Sequence, residues 1–162
     1  MKEKVLVMDN LFSKEVLGIL LEEINCMKWG FESSGLDNSY AAEEPNLFFS
    51  SETTFLPSHR YLFKSICKKF DLNLGCTRSY VNLYPPKSSG GWHCDEGDVT
   101  ILLFPQNSWL NAYGGATEFK NEKKVNYFGG RVVIFDAKLE HRAEVNKAPF
   151  NRYSIAWKTK KI

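Results

Sequence analysis

Beyond Gly75 the chain breaks into short β-type runs, over 77–84, 98–104, 116–119, 124–127, 131–136, 140–145 and 151–158. Turn residues separate them: Pro85-Pro86, Gly90-Gly91, Gly114-Gly115, Gly129-Gly130 and Ala148-Pro149. Short strands so closely spaced bury little alone, and close on one another as a sandwich or barrel. The first part of the chain reads differently. Val5 to Met8 is a short apolar strand candidate. Ser13 can cap a helix in which Val16, Leu17, Leu20, Leu21, Ile24 and Met27 recur at helical spacing, and Gly30 is placed to end it. Pro57-Ser58 opens a second helix with Leu62, Phe63, Ile66 and Phe70 on one side. Helices followed by a run of strands predict an α+β chain.

The 162 residues are read as one domain, with 1–75 as helical support and loop and 76–160 as the strand core. A hydrophobic share of 43% and a charged share of 25% are those of a globular protein, and the aromatic share of 14% suits a bulky barrel interior. The net charge of +2 gives no field for a nucleic acid or membrane surface. No stretch is long enough to span a membrane, and no secretory leader is legible. Cys26, Cys67, Cys76 and Cys94 form no C-x-x-C pair, which removes zinc-ribbon and thioredoxin readings and fits a reducing, cytoplasmic setting. Lys158-Thr159-Lys160-Lys161 reads as a solvated tail.

Chemistry concentrates in His93-Cys94-Asp95, His141 and Arg152. On an extended strand an H-x-D step turns both side chains to one face, and a second histidine from a neighbouring strand completes a two-histidine, one-carboxylate facial set for iron(II). Alone, the step equally describes a turn-capping Asp beside a surface His, and His141 a half-exposed residue. Arg152 and Ser154 alternate on one strand whose other face carries Tyr153, Ile155 and Trp157. That strand is expected to be covered on both sides. A guanidinium so enclosed needs an anion, and its planar fork suits a carboxylate. Asn82 and Tyr84 share a face and can hydrogen-bond a ligand beside the metal, or simply pack in the core. Cys94 should point away from the ligands as a small core residue, and His59 is taken as structural. Trp92, Trp109 and Tyr113 are candidates for a substrate groove or for the core.

The order Asn82-x-Tyr84, His93-x-Asp95, Gly114-Gly115, His141, Arg152-x-Ser154 resembles the 2-oxoglutarate- and iron(II)-dependent dioxygenases. Gly114-Gly115-Ala116-Thr117-Glu118-Phe119 and Gly130-Arg131-Val132-Val133-Ile134-Phe135-Asp136 resemble the prolyl 4-hydroxylase-like branch in particular. The resemblance spans about residues 77–158. It implies a double-stranded β-helix (jelly-roll, cupin-like) core with the two N-terminal helices packed on one sheet. It also implies that His93, Asp95 and His141 hold Fe(II), that Arg152 pairs with the distal carboxylate of 2-oxoglutarate, and that Asn82, Tyr84 and Ser154 lie beside that cosubstrate. O2 is the second cosubstrate, and ascorbate a candidate reductant. Collagen-type members carry Lys where Arg152 stands, so a collagen-like substrate is put in doubt.

The implied activity is hydroxylation of a peptidyl residue, with proline the first choice and succinate and CO2 as co-products. A peptide or protein substrate is expected over a small molecule or free amino acid. Oxidative demethylation of a nucleic acid fits the near-neutral charge poorly. A metal- or ligand-binding barrel without catalysis is the non-enzymatic alternative. Residues 31–56, polar with Ser33-Ser34-Gly35 and Pro45, are expected to be irregular and to close over substrate.

Overall fold

The computed structural model describes residues 5–33, 47–54 and 56–162. Its elements in chain order are β1 (Val5–Met8), α1 (Lys14–Asn25), β2 (Gly30–Ser33), β3 (Leu47–Glu52), α2 (Pro57–Phe70), β4 (Leu74–Tyr84), β5 (Val99–Leu103), β6 (Thr117–Phe119), β7 (Val132–Asp136), β8 (His141–Ala143) and β9 (Arg152–Lys161). Seven strands form one antiparallel sheet in the order β1-β7-β5-β9-β4-β3-β2, and β6 and β8 form a second, two-stranded sheet. The long strand β9 lies at the middle of the large sheet, paired with β4 on one side and β5 on the other.

Alternation along β9 explains the layering. Ile155 and Trp157 point to one face, where they join Val81, Val99, Ile101, Leu103, Val132 and Ile134 from the sheet. Leu17, Leu20 and Ile24 of α1 and Leu62, Phe63 and Ile66 of α2 complete this cluster, the helical positions that the spacing singled out. Burying each such side chain contributes about 1.5–3 kcal/mol, enough to anchor helices too short to persist alone. The opposite face carries Leu102, Val133, Phe135 and Ala156, which pack with Phe104, Trp109, Phe119 and Tyr127 in a second cluster. The site is built on that side.

Several boundaries differ from the sequence reading. Ser13 does cap α1, accepting from the Val16 amide at 3.4 Å, but the helix ends at Cys26, where the amides of Cys26 and Met27 fold back to the carbonyls of Glu23 and Ile24. Gly30 instead opens β2. Leu47–Glu52 is likewise no loop: β3 joins the sheet through Phe49–Leu83, Ser50–Asn82, Ser51–Val81 and Glu52–Tyr80. The polar residues on either side hid this strand, although it starts with Leu47-Phe48-Phe49. The closing segment expected over 31–56 lies for the rest, at 34–46 and 55, outside the described residues. The run 124–127 is no strand either, touching β6 at the single bridge Thr117–Val125. No helix among the described residues is long and apolar enough to cross a membrane.

Candidate metal centre

His93 and His141 face each other as a bridge, each amide bonding the other's carbonyl, at 3.0 and 2.9 Å. Asp95 follows in irregular backbone, pinned by its amide to the Ala137 carbonyl at 2.8 Å. The H-x-D step therefore does not lie on a regular strand as expected. Two anchor points to the β7–β8 region, rather than strand pleating, set the two side chains together. Cys94 between them is exposed, not core, with its thiol reaching the Lys138 carbonyl at 3.3 Å.

One donor atom each from His93, Asp95 and His141 lies within 4.8 Å of the others. Nε2 of His93 is 3.5 Å from Asp95 Oδ1, and Nε2 of His141 is 3.4 Å from Asp95 Oδ2. Each imidazole Nδ1 meets a carbonyl two residues upstream, Gly91 or Leu139, at 2.8 Å. A proton on Nδ1 satisfies that carbonyl and turns the Nε2 lone pair toward the shared space. Burial also holds His141 neutral, pulling its pKa down to about 4 against the attraction of Asp95. Burial alone would raise the Asp95 pKa. The His93 hydrogen bond and the charges of Lys158 and His141 outweigh it, so the carboxyl sits well below its usual range. Two imidazoles and an ionised carboxylate are a donor set that fits a divalent iron ion. The Asp95 and His141 side chains are only 4% and 6% exposed but that of His93 is 43% exposed, so one side of the centre opens outward.

Along β9 the register sets Arg152 opposite Tyr84 and Ser154 opposite Asn82. The four expected cosubstrate residues thus share one patch of sheet. Arg152 is 1% exposed, and its guanidinium lies over the rings of Tyr84, Phe104 and Tyr127 at 5.1, 5.4 and 5.2 Å. It donates through Nε to the Gly115 carbonyl at 2.7 Å and through Nη1 to Ser154 Oγ at 3.4 Å. Among the described residues no carboxylate comes within ion-pair reach of it. Gly115 allows this approach: its φ is +73°, and a Cβ there would stand 3.0 Å from Arg152 Cδ. Asn82 Oδ1 is buried without a partner. Burial pushes the Tyr84 phenol up to about 12, so it remains a proton donor.

Lys158 is the residue that the sequence reading missed. It is 7% exposed, and its Nζ meets Asp95 Oδ2 directly. Thr100, its partner across β5, donates to the same oxygen at 2.6 Å. Burial pulls the ammonium pKa below its usual value, against the pull of Asp95. Thr159 is fully buried, so only Lys160 and Lys161 of the supposed tail are exposed. Phase would have found it, since 152, 154, 156 and 158 share a face. Trp109 is core, with Tyr113 edge-on to it, whereas Trp92 is 39% exposed beside His93 with the Arg142 guanidinium 4.8 Å over its ring. His59 is fully buried with neither ring nitrogen bonded.

No protein-family model matches the sequence, nor does any curated protein. Solved structures do resemble the chain. A prolyl hydroxylase from Trichoplax adhaerens, in complex with a hypoxia inducible factor peptide fragment, is 16% identical with a TM-score of 0.72, over 95% of this chain and 82% of that one. A viral collagen prolyl hydroxylase from Paramecium Bursaria Chlorella virus-1, in its 2-oxoglutarate complex, is 16% identical with a TM-score of 0.67, over 99% and 97%. HygX from Streptomyces hygroscopicus, with nickel and 2-oxoglutarate bound, is 10% identical with a TM-score of 0.71, over 95% and 81%. At such identities the likeness speaks for architecture. The chain has the double-stranded β-helix fold of the 2-oxoglutarate- and iron(II)-dependent oxygenases, prolyl hydroxylases among them.

Proposed function

We propose that residues 1–162 act as a single oxygenase domain that uses iron(II), 2-oxoglutarate and O2 to hydroxylate a peptidyl residue, proline being the first candidate. The observation that carries this is the buried Arg152 guanidinium without a carboxylate partner among the described residues, on the same side of the sheet as the converging His93, Asp95 and His141 donors. In this reading His93, Asp95 and His141 hold the metal. Arg152 and Ser154 take the distal carboxylate of 2-oxoglutarate, for which the desolvated fork is preorganised. A half-turn of the Asn82 amide presents Nδ2 to the same anion, and Tyr84 adds a phenol donor. When bound, iron supplies O2 activation coupled to oxidative decarboxylation, which gives succinate, CO2 and an alcohol. The chain's own part is to position both reactants and to exclude water with the aromatic wall of Tyr84, Phe104 and Tyr127.

His93→Ala and His141→Ala should each abolish iron-dependent succinate formation and cobalt(II) binding while remaining folded. Parent-level decarboxylation in either variant would refute the reading. Succinate release against proline-rich peptides, with iron and ascorbate supplied, tests the substrate. The exposed Trp92 beside His93 gives a peptide somewhere to lie. A small-molecule substrate is the second reading, since HygX has also been crystallised with hygromycin B bound at a similar TM-score of 0.70.

A further inference from the structure

Lys158 and Arg152 are buried cations on one face of one strand, six residues or about 20 Å apart along β9. Arg152 serves the cosubstrate end. The Lys158 ammonium touches Asp95 and lies 5.5 Å from the Tyr80 ring, further along the strand from Arg152. Asp95 is the carboxylate in direct contact with Lys158 among the described residues. The nearby Glu96 is exposed, and Arg78 is committed to Glu52. Once a divalent ion shares Asp95, one carboxylate charge serves two cations. A divalent ion, Lys158 and Arg152 bring four positive charges, whereas Asp95 and a 2-oxoglutarate dianion bring three negative ones. A buried excess of positive charge is costly unless an anion joins it.

Resting on the oxygenase reading above, we propose that Lys158 is a specificity-determining residue that pairs with a carboxylate on the substrate, beside the carbon to be oxidised. Two sources supply that group: the terminal carboxylate of a free amino acid, or an acidic side chain next to the target residue of a peptide. A residue that merely held Asp95 in place would alter metal affinity without favouring acids.

The test uses the full chain as its cobalt(II)–2-oxoglutarate complex, kept without O2, and follows the visible absorption of cobalt. Acetylproline, acetylaspartic acid α-amide and acetylprolinamide are titrated as a terminal acid, a side-chain acid and a neutral probe. The parent should bind one of the acids about tenfold more tightly than the neutral amide, and the better acid names the source. Lys158→Met should lose the preference and Lys158→Arg retain part of it, with Lys158→Gln replacing Met if circular dichroism shows misfolding. No acid preference in the parent, or the same preference in Lys158→Met, overturns the proposal while leaving the oxygenase reading intact. Failure of the parent to form a 2-oxoglutarate complex strikes the oxygenase reading, and this proposal with it.

Discussion

The two faces of β9 share one backbone and nearly the same burial, yet their chemistry is opposite. Ile155 and Trp157 lie among leucines, isoleucines and valines under the two helices. Arg152, Ser154 and Lys158 are equally shielded from water but are polar or charged. A buried apolar side chain gains from leaving water, whereas a buried ammonium or guanidinium loses unless something answers it. One face therefore stabilises the fold, and the other spends part of that stability on a site. Aromatic rings, one carboxylate and the glycine at 115 keep the second face tolerable.

The sharpest way to break this contrast is Trp157→Ala. Removing a fully buried indole from the helix-covered face should cost about 3–5 kcal/mol in urea unfolding. A loss below 1 kcal/mol would mean that this face does not anchor the fold.

His59 places a titratable group on that same apolar face, 6.2 Å from Trp157 between ring centres. Burial lowers its pKa from 6.5 to about 4, with the Glu23 charge opposing. Protonation thus favours the unfolded chain. The His59 contribution is intact above pH 6.5 and is lost as pH falls from 6.5 toward 4, by up to about 3 kcal/mol. His141 shifts in the same window, so the informative quantity is the difference between parent and His59→Leu. Parallel pH–stability curves would show that His59 takes up its proton in the folded state.

On the site face, Arg152→Met should raise the 2-oxoglutarate dissociation constant about 100-fold, some 2.7 kcal/mol, while costing less stability than Trp157→Ala. Calorimetry with manganese(II) in place of iron reads both partners, and an unchanged constant removes Arg152 from the cosubstrate site. Gly115→Ala is a milder version of the same break. A side chain at φ +73° and a Cβ crowding Arg152 should cost about 1–2 kcal/mol and weaken 2-oxoglutarate through the displaced guanidinium. Smallest of all, Lys160→Ala with Lys161→Ala should change stability by under about 0.5 kcal/mol. That pair, set against Lys158, separates the true tail from the buried part of the strand.

Much of this contrast was legible in the residues. Side chains alternate on any strand, so Arg152 with Ser154 and Tyr153 with Trp157 had to part company. Ser13 announced α1, and leucine spacing announced which sides of α1 and α2 are buried. Gly114-Gly115 marked a turn, though not that the second glycine makes room for Arg152. Lys158 was misread because its neighbours Lys160 and Lys161 are ordinary surface lysines, and a run of like charges hides the one that turns inward. β3 was missed because the strand that draws it into the sheet, β4, lies further along the chain, and β2 because it pairs only with β3.

Local geometry belongs to the sequence alone, since caps, turns and alternation involve residues within a few positions of one another. By that route the chain itself specified an apolar helical layer and a set of short strands, whereas His93, Asp95 and His141 stood out as candidate donors through the order of motifs and the resemblance it carries. Which donors meet was decided only by tertiary structure. The His93–His141 bridge, the hold of Ala137 on Asp95 and the landing of Lys158 on that carboxylate all join residues from distant stretches. Such contacts follow from the sheet order and register of the whole chain, whose loop-closure cost only the assembled core offsets.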